Sequence, residues 1–300
     1  MSKYWNLSAG KMKVFGLGLL ILSGLAVNAH AGTILGSAGN FAVLGATPSV
    51  TNIGSTTLTG SLGVWPAASI TGMGPGANQI TVNGANATGN ADVHIGDSVA
   101  NTAQTDAGIA FGTLAGLSPT TNDAGLGPIE LGAQTLTAGV YKLDAALLDG
   151  VLTLNFAGVS DKNIVFQIAS TLTTASGPGI ASVVIENANA TDNVFWQVGS
   201  SAQIGTYTSF VGNIIAYSTI AMQTGATDAC GSVISLTAAV TMDTNTISNT
   251  CAGGTGGGGG GGTVIGGGTG VPEGGSTLLY LCAFLLPLGA MRAFRFRRSI

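Results

Sequence analysis

Charge is what this chain has least of. Lys, Arg, Asp and Glu supply 7% of its 300 residues, against about 25% in an average soluble protein. Helical bundles and coiled coils draw heavily on Glu, Lys, Arg and Leu, so that shortage excludes them. Positive charge is nearly missing from the middle. Lys3, Lys11 and Lys13 stand at the start, Arg292, Arg295, Arg297 and Arg298 at the end, and only Lys142 and Lys162 between. All thirteen acidic residues fall between those basic ends, which leaves the middle at −11. Binding to nucleic acid depends on Lys and Arg to neutralise phosphates, so nucleic acid is excluded as a partner. Cysteine and histidine are scarce too. Cys282 lies in an apolar run near the C-terminus and His30 near the N-terminus, leaving Cys230, Cys251 and His94. That is too few ligands for a metal site. In an oxidising compartment the two cysteines read as a disulfide.

What is abundant is small or β-branched. Glycine fills 49 positions, and Ala, Thr, Ser, Val and Ile many of the rest. A hydrophobic content of 45% is enough to bury a core rather than leave the chain disordered. Small and β-branched residues joined by many turns describe a mainly β protein.

Both ends read as addresses. In residues 1–31, Lys11 and Lys13 precede an apolar run over 14–27, and Ala29-His30-Ala31 gives a small-x-small cleavage pattern. That is the layout of a secretory signal peptide, and fourteen apolar residues are too few to span a bilayer comfortably. Residues 253–270 are almost all glycine, a flexible linker with nothing to pack. Residues 271–300 hold Val271, Pro272 and Glu273, an apolar stretch over 278–291 and the arginine cluster. Positive charge behind an apolar stretch keeps that end in the cytoplasm. The order of motif, short transmembrane helix and Arg-rich tail resembles the Pro-Glu-type sorting signals of Gram-negative bacteria, which a membrane transpeptidase cleaves. The usual motif is Val-Pro-Glu-Pro; here Gly274 follows Glu273. The expectation is an exported protein at the cell surface, in the outer envelope or secreted, held by its C-terminal helix until that tail is processed.

Between these ends lies a repeat, residues 32–252. Apolar strands starting at 165, 194, 213 and 232 are each followed by a second alternating one at 171–175, 201–205, 219–223 and 239–243. A period near 19 with two or three short strands fits one turn of a three-sided β-solenoid. The longer first interval is accommodated by a bulging loop over 177–192. Alternation puts Leu172, Ala202, Ile220 and Val240 in one inward column and Thr174, Ile204, Met222 and Met242 in the next. It turns Thr171, Ser201, Thr219 and Ala239, and Thr173, Gln203, Ala221 and Thr241, outward. Those outward columns carry no charge, unlike an ordinary solvent-facing strand. One long helix is expected alongside. Asp97 or Ser98 caps it, Val99, Ala103, Ala107, Ala110, Phe111, Leu114 and Leu117 form its apolar stripe, and Gly116 and Pro119 end it. His94 reads as a turn residue.

Several stretches carry a family resemblance: Gly36-Ser-Ala-Gly-Asn-Phe-Ala-Val-Leu-Gly45, Thr59-Gly-Ser-Leu-Gly-Val-Trp-Pro66, Leu136-Thr-Ala-Gly-Val-Tyr141, Asn193-Val-Phe-Trp-Gln-Val-Gly-Ser-Ser201 and Val211-Gly-Asn-Ile-Ile-Ala216. In order and without large gaps, they resemble the microbial ice-binding (antifreeze) protein family. The resemblance implies a right-handed, discontinuous β-solenoid of triangular section with a long helix beside it. It also implies an N-terminal coil stacked out of sequence order and ice bound on one flat face, without a cofactor. Thr224-Gly225-Ala226-Thr227 fits the Thr-Ala/Gly-x-Thr/Asn repeat that some members show near that face.

The expected ice-binding surface is the second strand of each coil, with Thr171, Thr173, Ser201, Gln203, Thr219, Ala221 and Thr241. Thr206, Thr208, Thr224 and Thr227 stand at its margin, and Thr51 joins from the N-terminal coil. A carbohydrate-active β-helix enzyme would need grouped carboxylates and a cation to stabilise developing charge. Asp144 and Asp149, with two lysines in the whole domain, do not supply that, so no catalytic residue is assigned. The alternative function is a cell-surface adhesin or matrix protein that keeps the fold without affinity for ice.

Overall fold

The computed structural model describes residues 34–158, 163–189 and 191–251. The expected signal peptide, glycine linker and C-terminal tail, including Val271, Pro272 and Glu273, lie outside them.

Three sheets share one core, and each complete coil contributes a strand to all three. Sheet A runs Val93–Ile95, Ser61–Val64, Phe41–Gly45, Val233–Ser235, Asn213–Ala216, Asn193–Val198, Asn163–Ile168, Gly139–Leu143, Thr121–Asn122. Sheet B runs Pro128–Glu130, Ala145–Leu148, Leu172–Thr174, Ala202–Ile204, Ile220–Met222, Val240–Asp243, Val50–Ile53, Ile70–Thr71. Sheet C runs Thr135–Thr137, Gly150–Asn155, Ala181–Glu186, Ser209–Phe210, Thr227–Asp228, Thr246–Ser248, Thr56–Thr59, Ile80–Val82, Ala85–Asn86. Neighbours are parallel except the last pair of sheet C. The third strand of the coil explains the long first interval. Residues 177–192 are no loop bulge, because they contain Ala181–Glu186, which pairs along its length with Gly150–Asn155.

The stack is discontinuous in sequence. Phe41–Gly45 pairs with Val233–Ser235, the first strand of sheet A against the last full coil, and Thr51 pairs with Thr241 in sheet B. The chain therefore starts in the middle of the stack, builds outward to Val93–Ile95, and must return to the opposite end. Helix α1, Ser98–Ala115, makes that return. At about 1.5 Å per residue its eighteen residues cover roughly 27 Å, several strand spacings of about 4.8 Å.

The helix seals the outside of sheet A. Ala103, Ala107, Ala110 and Leu114 pack on Leu44, Val165, Phe195, Ile215 and Ile234. Alanine keeps that stripe narrow enough for close approach. Val99 and Leu117, expected in it, are 46% and 37% exposed, while Ala100 is buried instead. Asp97 caps the helix, its carboxylate accepting from Ala100 N–H at 2.9 Å. Polar side chains fix the rest: Gln104 donates to the carbonyls of Ser235 and Leu236 at 2.8 and 2.9 Å, and Gln167 to those of Leu114 and Leu117 at 2.7 and 2.8 Å.

Because both sides of sheet A are covered at its centre, its strands there are buried at every position, as in Phe41–Gly45, Asn213–Ala216 and Asn193–Val198. No alternation marks their register. Val165 pairs with Phe195 rather than Val194, Phe195 with Asn213, and the next strand follows one coil later with Ile214 on Val233. The core inside is aromatic at this level. The rings of Phe166 and Trp196 stack with centroids 4.0 Å apart, Tyr141 lies 5.5 Å from Phe166, and Phe210 lies 5.0 Å from Trp196.

Candidate functional site

Among the described residues no helix lies over sheet B. Leu172, Ala202, Ile220 and Val240 are buried, as are Thr174, Ile204, Met222 and Met242, so both expected inward columns point into the core. The outward column follows from the pairing: Thr173 opposite Gln203, Gln203 opposite Ala221, Ala221 opposite Thr241, Thr241 opposite Thr51 and Thr51 opposite Thr71. Thr171, Ser201 and Thr219 stand just ahead of their strands, each partly exposed. The structure thus brings the main set of expected residues onto one surface and seats Thr51 beside Thr241. It adds Thr71, which sequence reasoning missed because only the out-of-order stacking carries Ile70–Thr71 to this sheet.

The margin differs. Thr208 is fully buried; its hydroxyl lies 2.8 Å from that of Thr174, so it holds the corner between sheets B and C and cannot meet a ligand. Thr227 belongs to sheet C, where it pairs with Ser209 and Thr246. The Thr224-to-Thr227 segment therefore turns the corner rather than edging sheet B. Gly225 has φ +70, and a Cβ there would meet the Tyr207 ring at 2.6 Å, so this turn requires glycine. Thr224 and Thr206 stay at the edge, beside a groove that also touches Ile53, Ala221, Gln223 and Thr241. Thr224 donates to the Asp243 carboxylate at 2.5 Å and Thr244 to its other oxygen at 2.9 Å. The nearest negative charge thus leans toward the corner.

Other titratable groups serve the frame. His94 Nδ1 lies 2.9 Å from the Asp97 carboxylate. Burial alone would raise the Asp97 carboxyl, but the bonds from Ala100 and His94 outweigh it and hold the group below its usual range. Asp144 accepts N–H bonds from Gly125 and Gly127 at 2.7 and 3.0 Å, which fixes a turn and leaves no paired acid and base. Asp228 points inward between Phe210 and Ile247 in sheet C. Burial pushes its carboxyl well above the usual carboxylate range, against N–H bonds from Cys230 and Gly212. Cys230 and Cys251 are bonded, with Cα atoms 4.9 Å apart. Among the described residues no cluster of His, Cys, Asp and Glu could hold a metal, and no helix is long and apolar enough to cross a membrane.

A three-sided stack, one side sealed by a helix and another presenting an uncharged hydroxyl-bearing column, matches a known group of proteins. The family model described as ice-binding-like covers residues 44–248. The chain belongs to the ice-binding-like family. An ice-binding protein of Nostoc sp. (strain HG1) is 43% identical over 238 residues, spanning 78% of this chain and 81% of that protein. The ice-binding protein of the Antarctic ascomycete Antarctomyces psychrotrophicus superposes with TM-score 0.62 at 40% identity, covering 72% of this chain and 97% of that one. The ice-binding protein 1 domain of Shewanella frigidimarina gives TM-score 0.60 at 32% identity, covering 72% and 96%. The ice-binding family is one of binding proteins rather than enzymes, in keeping with carboxylates that build turns and caps here.

Proposed function

We propose that this protein adsorbs to ice through the open face of sheet B. The observation that carries the reading is the registered column Thr173, Gln203, Ala221, Thr241, Thr51, Thr71, which is uncharged and repeats at the coil rise of about 4.8 Å. A threonine methyl orders the adjoining water and its hydroxyl joins that layer, while β-branching restricts the rotamer. Pairing on both sides fixes every strand of the column but the edge strand Ile70–Thr71, so the array is preorganised and binding costs little ordering. No cofactor takes part. Growth or recrystallisation of ice is then blocked, or a cell is held to ice. The unmodified protein should depress the freezing point below the melting point and partition into a slowly growing ice front. Exclusion from that front by a folded sample would refute the reading.

A second reading, a surface adhesin or matrix protein without affinity for ice, has its own support. Gln203 and Ala221 interrupt the threonines, and beyond Thr173 the column continues as Leu147 and Glu130. The same partitioning experiment decides between the two.

We further propose that residues 1–31 direct export and that residues 271–300 are a sorting tail, with Val271, Pro272 and Glu273 as motif and the arginines as the cytoplasmic stop. The partners are then a membrane, before processing, and a sorting transpeptidase. Intact-mass measurement of the mature protein should find residues 278–300 missing; an uncleaved tail would leave a plain anchor.

A further inference from the structure

The outward column of sheet C is more regular than that of sheet B. Ser182 pairs with Ser209, Ser209 with Thr227, Thr227 with Thr246, Thr246 with Thr57 and Thr57 with Thr81. Six successive strands thus present a hydroxyl at one level, uninterrupted by any amide, alanine or charge. All six are partly or fully exposed. Among the described residues none of these hydroxyls is engaged by another side chain or a carbonyl, whereas Thr51 on sheet B shares its hydroxyl with Ser49 at 3.2 Å.

Two residues further along the strands Thr59 adds another exposed hydroxyl, beside Ser248, whose own hydroxyl is held by Thr250 at 2.9 and 3.0 Å. The result is a row of hydroxyls about 4.8 Å apart from strand to strand, with one more about 6.7 Å along from it. This is not how the sheet treats its outside everywhere. At its other end the same outward side carries Val151, Val184 and Glu186, with Val151 and Val184 exposed. The uninterrupted hydroxyl run spans the coils around the seam where the N-terminal coil joins the last one, as does the Thr241, Thr51, Thr71 run on sheet B; at the other end of sheet C a single Thr135–Thr153 pair stands beside the valines.

From this we infer that sheet C is a second ice-binding face, engaging crystalline water with the array Ser209, Thr227, Thr246, Thr57, Thr81 and Thr59, separately from sheet B. The ligand is chosen by chemistry: an extended, rigid, uncharged grid of unshared hydroxyls and methyls offers no charge for an ionic partner and no deep apolar pocket for a side chain. A periodic lattice of donors and acceptors matches it. The inference rests on the proposal that the chain binds ice. Sheets B and C face different directions and differ in their spacing of hydroxyls, so they should select different crystal planes.

The test is decoration of a single ice crystal by the fluorescently labelled protein, with melting temperature as the control for folding. The unmodified protein should coat two sets of planes. The Thr57→Tyr, Thr246→Tyr protein should lose one set, Thr241→Tyr the other, and the triple variant both. If Thr57→Tyr, Thr246→Tyr melts as the parent does and decorates the crystal identically, the second face is refuted while the sheet B assignment stands. If Thr241→Tyr changes nothing but the sheet C variant abolishes all coating, the second face stands and the sheet B assignment falls. An unmodified protein that coats no plane overturns both.

Discussion

In five successive coils of the stack, the residues turned out of sheet A are Leu44, Val165, Phe195, Ile215 and Ile234, and those turned out of sheet B are Thr51, Thr173, Gln203, Ala221 and Thr241. Both sets are parallel strands of the same coils, paired in the same stacking order. Only the outward chemistry differs, and it follows what lies opposite: the alanine stripe of α1 in one case, water in the other. Apolar outward residues draw a cover because exposing them costs roughly 25 cal/mol per Å². Threonine needs none. The contrast teaches that the solenoid core is neutral about function, and that one outward residue per coil decides whether a face becomes interior or meets a ligand.

The largest effect should come from attacking the covered face. Phe195→Ala removes a ring held between sheet A and the helix and should cost about 3–5 kcal/mol, measured by denaturant unfolding. Breaking the Cys230–Cys251 bond, whose partners are 21 residues apart, should cost about 3 kcal/mol by loop entropy; the Cys230→Ser, Cys251→Ser protein should unfold at lower denaturant with an unchanged slope.

The interior should next reveal itself through pH. With its folded pKa raised above the unfolded value, the native state keeps a proton on Asp228 that the unfolded chain releases. The stability this group contributes is complete below the unfolded pKa and is lost as pH rises toward the folded one. Melting temperatures of the parent and Asp228→Asn should therefore diverge between acid and neutral pH, the parent falling relative to the variant. Parallel curves would contradict a buried, protonated carboxyl. The smallest effect on stability should come from the open face: Thr241→Tyr should change it by no more than about 0.5 kcal/mol.

The same contrast explains what the sequence made legible. Sheet B could be read residue by residue because one side is buried and the other wet, so alternation marks both columns, down to Leu172 and Thr173. Sheet A could be recognised but not registered, since Phe195 and Trp196 are both buried. Sheet C was nearly invisible: Ser209–Phe210 and Thr227–Asp228 are two residues long, too short for a period, and Asp228 breaks the apolar inward pattern. That is why Thr227 read as a margin of sheet B and Thr208 as exposed. Thr71, Thr57 and Thr81 were hidden for another reason. Thr57 pairs with Thr246, about 190 residues away in sequence, and Thr71 and Thr81 join the stack only through Thr51 and Thr57; no local signal reports that distance. The short turn at Gly225 was legible only as a motif, not as a corner.

The most direct test of the central claim, that ice is met by the open face of sheet B, is thermal hysteresis of two matched tyrosine variants. One is Thr241→Tyr, in the middle of the open column; the other is Thr105→Tyr, exposed on the outer side of α1. Both should melt with the parent. Thr241→Tyr should lose most of the hysteresis, and Thr105→Tyr should keep all of it. Equal, undiminished hysteresis in both would contradict the account.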